Sequence, residues 1–173
     1  IESAFKNLAL KNSKIDFNLT ESDEFNKNGI NNIEVLYRPS EQSSPKLLSK
    51  IASGGEKSRI LFALKSILSK KIDLPTLVFD EIDSGTSGEI ANAIGKMMKI
   101  MGKKIQIIAI THLPQVASLA DYHYKVYKIE REKNISTNIK KLDTSSRIKE
   151  IASMISGENI TESAINQAQE LLK

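Results

Sequence analysis

The feature that most constrains this chain is a pair of short apolar runs divided by one amphipathic helix. Leu77-Val78-Phe79 follows Pro75 and ends on Asp80-Glu81, and Ile105-Gln106-Ile107-Ile108-Ala109-Ile110 ends on Thr111-His112. Between them Ile90, Ala93, Ile94, Met97 and Met98 recur at helical spacing over about 87–101, and Gly102 supplies a stop. Strand, helix, strand with short connections is a βαβ unit, which requires parallel strands and a right-handed crossover. The fold class that follows is α/β, a parallel sheet with flanking helices. Strands that point the same way also bring Asp80, Glu81 and His112 to one edge of the sheet.

The flanks add hairpins and helices. Residues 1 to about 12 carry Ala4, Phe5, Leu8 and Ala9 at helical spacing and predict an amphipathic helix. Alternation predicts strands at 15–19 and 33–37, the second halted by Pro39, with a polar turn or loop at 21–32 around Gly29 and a loop over 39–50. Leu61, Leu64, Ile67 and Leu68 predict a helix over 55–70 with that face buried. A short helix is expected after Pro114, then a hairpin of 122–129 and 135–142. Two amphipathic helices close the chain, divided by Ser156-Gly157, the second opening near Thr161.

Composition narrows the function classes. With 40% hydrophobic and 27% charged residues the chain is ordinary globular material. Aromatics make up only 5% and Trp is absent, so aliphatic side chains must fill the core. The lack of Cys excludes a disulfide framework and a Cys-ligated metal, and suits a reducing cytoplasm. No run approaches the ~18 apolar residues of a membrane helix. Ile1-Glu2-Ser3 begins mid-element, without a signal-peptide pattern. The net charge of +4 is compatible with nucleic acid, and equally with abundant Lys matched by nearby Glu or Asp.

Three constellations carry chemistry. Ala52-Ser53-Gly54-Gly55-Glu56 opens a helix, where unpaired N–H groups and the dipole favour phosphate oxygens and paired glycines permit close approach. An ordinary Ser-Gly-Gly cap reads the same way. Asp80 and Glu81 lie at the carboxyl end of a strand, where ligands of open α/β sheets bind. One acid can hold a hydrated Mg²⁺ and the other orient an attacking water, and a solvated acidic turn is the plain alternative. His112 at the next strand's end can hydrogen-bond a phosphate or that water, or be purely structural. What singles the three out is their order and spacing along one chain.

In that order they resemble the ABC ATPase family: Ser53-Gly54-Gly55-Glu56 its signature motif, Leu77 to Glu81 its Walker B segment, His112 its switch histidine. Ala52 to Ile60, Thr76 to Gly85, Thr111-His112-Leu113-Pro114-Gln115-Val116-Ala117 and Ile148 to Gly157 resemble the RecN branch, bacterial DNA-repair ATPases related to SMC proteins. The resemblance runs from about residue 45 to the end. It implies the C-terminal lobe of a P-loop NTPase (ABC ATPase) head over 15–173, with 1–14 as the end of a coiled-coil arm. It implies ATP and Mg²⁺ as cofactors, Glu81 and His112 as catalytic, Ser53, Gly54, Gly55 and Glu56 as nucleotide-binding, and Asp80 as the metal ligand. The implied partners are the protein's own N-terminal P-loop lobe, a second head in an ATP-bound homodimer, and DNA ends or single-stranded overhangs, in a cytoplasmic, nucleoid-associated protein with no membrane role.

Two departures limit the transfer. Ser87 stands where many relatives carry the D-loop Asp, and Gly-x4-Gly-Lys-[Ser/Thr] is absent from the sequence: Gly95-Lys96 and Gly102-Lys103 have neither the following residue nor the upstream Gly. The P-loop lobe is therefore missing from this chain, which is expected to be inactive alone. The alternatives are another SMC-like head lobe, or a non-catalytic interaction module on the same fold.

Overall fold

The computed structural model describes residues 2–27, 29–51, 54–80, 82, 85–86, 88–131 and 134–173. The chain divides into two compact units, Ile1–Pro75 with Ile82–Ala93, and Thr76–Glu81 with Ile94–Lys173.

In the first unit a short helix α1 (Glu2–Lys6) precedes a long antiparallel hairpin, β1 (Lys14–Asn26) and β2 (Gly29–Arg38). The helix stops well before the expected residue 12. Phe5, Leu8 and Leu10 are all buried, and positions 8 and 10 lie on opposite sides of a continuous helix. The chain solves this by turning: the Phe5 carbonyl accepts from the Leu8 and Leu10 amides, and Ala9 sits in the turn at a left-handed φ of 55°. The hairpin in turn is longer than alternation alone predicts. Residues expected as a loop at 21–32 continue both strands, with a register shift between Glu21 and Asn26 and a turn at Gly29, φ 104°. This outer part of the hairpin is largely exposed, so no burial pattern marks it in the sequence. Arg38 donates from Nε and Nη2 to Asp16 at 3.1 and 2.7 Å, clamping the hairpin base.

After a two-residue strand β3 (Lys46–Leu47), paired to β2, and a 3-10 turn (Leu48–Lys50), the 15-residue helix α2 (Gly54–Leu68) begins. It buries Ile60, Phe62, Ala63 and Ser66, whereas Leu61 and Leu68 of the expected inner face are exposed. Apolar residues occupy both sides of this helix, so periodicity finds the helix but not its inward face.

The second unit holds a parallel strand pair and the later part of the helix that links it. Strands β4 (Thr76–Asp80) and β5 (Gln106–Ile110) pair in parallel from Thr76↔Gln106 to Asp80↔Ile110, joined by α3 (Gly88–Gly102). Gly95 of α3 faces α4 (Pro114–Ala117) closely: a Cβ there would stand 2.8 Å from Leu119 Cδ1 and 3.3 Å from the Gln115 carbonyl oxygen. The hairpin β6 (Tyr124–Arg131) and β7 (Asn134–Lys141) follows, then α5 (Thr144–Ser156) and α6 (Glu162–Leu171). Ala117, Ile151, Ala152, Ala164 and Ala168 form the core between these helices. Asp143 caps α5 by accepting from the Ser146 amide at 2.7 Å, and Thr161 caps α6 by accepting from Ala164 at 3.2 Å. Gly157, φ 76°, ends α5. Arg147 donates to the carbonyls of Ala117, Ser118 and Ala120, and Lys125 pairs with Glu150, so α5 is tied to α4 and to β6. Among the described residues no helix is long and apolar enough to cross a membrane.

His123 sits beside this network. Burial, then the charge of Arg147, hold its imidazole below the ordinary value of 6.5. The unfolded chain therefore takes up a proton near that value which the folded chain refuses until lower pH, so the contribution is full above 6.5 and lost on acidification. Urea unfolding is expected to show lower stability at pH 5 than at pH 7.5, with a flatter pH profile for His123→Gln. An equal profile for both proteins would show that His123 contributes nothing.

Candidate functional site

The parallel register positions the first cluster. Asp80 is the last residue of β4 and lies opposite Ile110, the last of β5; His112 follows two residues on. Asp80 and His112 are both exposed, at the carboxyl edge of the same strand pair. The neighbouring turn is held by Thr111, whose Oγ1 accepts from the Leu113 amide at 3.0 Å before Pro114 opens α4. Glu81 lies outside the described residues. The edge thus presents a carboxylate and an imidazole from adjacent strands, facing solvent.

The strands that carry them differ from the buried strands expected. Phe79 is 1% exposed, but Val78, Ile108 and Ile110 are 51, 46 and 54% exposed. Parallel strands are ordinarily covered on both faces; here the face carrying Val78, Ile108 and Ile110 is largely exposed.

The second cluster is the start of α2. Ser53 lies outside the described residues. Gly54 is exposed, nothing stands within 4 Å of where its Cβ would be, and it is the first residue of a 15-residue helix. That is the arrangement that receives anions. Gly85, φ 68°, comes up against the same bend: its Cβ would stand 4.0 Å from the Cα of Gly55. Among the described residues there is no group of three or more His, Asp or Glu able to hold a metal ion by themselves.

Glu56, two residues beyond Gly54, is held from below. The Tyr37 hydroxyl donates to its Oε1 at 2.7 Å and stands 2.9 Å from the Ser13 hydroxyl, which also lies 3.3 Å from the Pro39 carbonyl oxygen. Tyr37 is 1% exposed, and burial together with the Glu56 carboxylate pushes its hydroxyl up to about 12, against the lowering effect of Ser13. Sequence reasoning missed this residue. It reads as one apolar position of a strand, and the only available hint is that a buried Tyr usually needs a partner for its hydroxyl.

Comparison with known proteins gives these clusters a context. The chain is 41% identical over 167 residues to the DNA repair protein RecN of Rickettsia bellii, covering 96% of this chain and 30% of that protein. It is 35% identical over 173 residues to RecN of Haemophilus influenzae, 99% of this chain and 31% of that one, and 38% identical over 150 residues to RecN of Bacillus subtilis, 87% and 26%. The relatives of this chain are RecN proteins, matched over most of its length. The chain spans about three-tenths of the length of these relatives. No protein-family profile matches it. Among solved structures, the Smc head domain with coiled coil and joint from Pyrococcus yayanosii superposes with a TM-score of 0.66 at 19% identity, over 87% of this chain and 27% of that one. A structure described under ATP-driven dimerization and DNA-stimulated activation of SMC ATPases gives 0.59 at 20% identity, over 91% of this chain and 89% of that one. The fold is therefore that of the SMC head domains, a parallel pair with flanking helices and antiparallel hairpins.

The two glycines separate backbone need from open space. Gly85→Ala is expected to cost about 1–2 kcal/mol in chemical unfolding, because its φ is left-handed. Gly54→Ala should cost nothing, since Ala favours a helix and meets no neighbour there. Equal losses for both would mean that the bend at Gly54 is also conformationally required.

Proposed function

We propose that this chain is the C-terminal lobe of a RecN-type ATPase head, acting in DNA repair within a longer protein. In this reading Asp80, Glu81 and His112 serve one nucleotide and Ser53, Gly54, Gly55 and Glu56 of the same chain serve another, across a dimer of heads. The observation that carries it is the in-phase parallel pairing of β4 with β5, which gives Asp80 and His112 one common edge. Residues 1–14 are assigned to the end of a coiled-coil arm and 15–173 to the lobe itself.

The residues fit ATP and Mg²⁺. A Mg²⁺ ion keeps most of its waters and takes one or two carboxylates plus phosphate oxygens, and Asp80 is such a carboxylate. When bound, the metal would neutralise charge on the β- and γ-phosphates. Asp80 holds its position at the strand end, Glu81 accepts a proton from the attacking water, and His112 donates a hydrogen bond toward the terminal phosphate. The open helix start at Gly54 supplies N–H donors to the phosphate of the opposite head. Two heads would then adhere through the phosphate charge they share and separate once it is removed. The exposed flanks of β4 and β5 fit further cover from the P-loop lobe, which carries the lysine and backbone cradle that this sequence lacks. DNA, as ends or single-stranded overhangs, is assigned as the partner of the whole protein, with no membrane role and a cytoplasmic, nucleoid-associated location.

Purified alone, the chain should show no ATP turnover above background, and co-expression with the P-loop lobe should restore it. Turnover by the lone chain at the rate of the full-length protein would refute the division of labour. In the full-length protein Glu81→Gln should trap an ATP-bound dimer on gel filtration. A monomer under ATP would remove Glu81 from the hydrolytic role.

A further inference from the structure

We propose that Tyr37 is a positioning residue for the phosphate-reading end of α2, acting through a one-way chain of hydrogen bonds from Ser13 to Tyr37 to Glu56. The inference rests on the reading of Gly54-Gly55 as a phosphate contact.

The direction of the chain follows from counting protons. A carboxylate only accepts, so the single hydroxyl proton of Tyr37 goes to Glu56 Oε1, 2.7 Å away. The oxygen of Tyr37 is then left as an acceptor, and the Ser13 hydroxyl at 2.9 Å must donate to it. Its other acceptor, the Pro39 carbonyl, lies further off at 3.3 Å. The raised value of about 12 keeps Tyr37 protonated across the physiological range, so the donor to Glu56 is permanent.

This chain matters because of where it ends. Gly54 and Gly55 have no side chains with which to locate the start of α2. Glu56 is the first residue of the helix whose side chain is anchored to another element, on a bond between a hydroxyl and a charged acceptor. At its other end Ser13 closes the turn that follows α1, its amide donating to the Leu10 carbonyl at 3.0 Å. Ser13, Leu8 and Leu10 are buried, so the turn is packed and not a loose tether. A displacement of that turn by about 1 Å would break contacts of this length and release the helix start. Residues 8–13 and the Gly-Gly start of α2 are thereby coupled through Tyr37.

The test uses the full-length protein carrying Glu81→Gln, reading the ATP concentration at half-maximal dimerisation together with hydrogen exchange along α2. Tyr37→Phe removes one oxygen and keeps the ring. It should raise the half-point roughly five- to tenfold, the scale of one lost intramolecular hydrogen bond, and quicken exchange at 54–59 while 64–68 stay as they were. Ser13→Ala should move both readings the same way by less, and it retains Tyr37 should the Phe variant not fold. An unchanged half-point in both variants overturns the proposal even if exchange quickens, because the bonds would then only hold the fold. A Glu81→Gln protein that never dimerises with ATP would overturn the nucleotide reading itself, before Tyr37 is altered.

Discussion

The parallel pairing of β4 with β5 is the constraint on which the functional reading depends. An antiparallel pair, or a register slipped by several residues, would send Asp80 and His112 to different places. Parallel strands cannot be joined by a tight turn, so the crossover helix α3 is obligatory, and its own packing has to be close. Gly95 shows how close: a methyl group at that position would press on the Leu119 side chain and the Gln115 carbonyl. Helix α4, which follows His112 directly, is thus fixed against the helix that links the two strands. The imidazole is carried on a short segment braced at both ends, by a strand before it and by Pro114 and α4 after it.

Much of this was legible in the sequence because the relevant signals are local. Apolar runs bounded by Pro75 and Gly102 announce the strands and the crossover, and Thr161 and Gly157 mark helix ends by their own chemistry. The failures share a different cause. The end of α1 depends on Leu8 and Leu10 both being buried, which is a tertiary demand that helical spacing cannot express. The outer hairpin is exposed on most positions, so pairing there is sustained by the backbone ladder and leaves no alternation to read. The inward face of α2 is ambiguous because Leu61 and Leu68 compete with Ile60 and Phe62 as candidates for burial. As for the site, Asp80, His112 and Gly54 could be singled out by residue type and order, and the register links the first two. Ser53 and Glu81 fall outside the described residues. Tyr37 could not be found at all, since its partners are 24 and 19 positions away.

The exposed aliphatic residues of β4 and β5 bear on stability as well as function. Each side chain of that size contributes roughly 1.5–3 kcal/mol when fully buried, and Val78, Ile108 and Ile110 each leave about half of that surface in water. A sheet of two parallel strands is below the size at which such pairing is ordinarily stable by itself. The second unit compensates with helix packing: the alanine-rich contact of α5 with α6, and the Arg147 guanidinium gathering three carbonyls at the end of α4. The stable part of this unit therefore lies among its helices, and the strand pair is the part that gains most from added cover.

If the start of α2 receives phosphate as proposed, a carboxylate in its first turn at first looks misplaced. Glu56 is stabilised there by the same dipole that favours the phosphate, so the two anions compete for one field. The hydrogen bond from Tyr37 bears on that conflict. It directs one oxygen of Glu56 toward the buried hairpin base and spreads its charge onto a donor on the protein side. Gly54, by contrast, faces open space. Neutral Gln at position 56 would avoid the conflict but would also lose the charge-assisted bond that holds the helix start in place. Under the proposed reading, a buried, protonated donor such as Tyr37 behind the carboxylate lets anchorage and anion binding coexist.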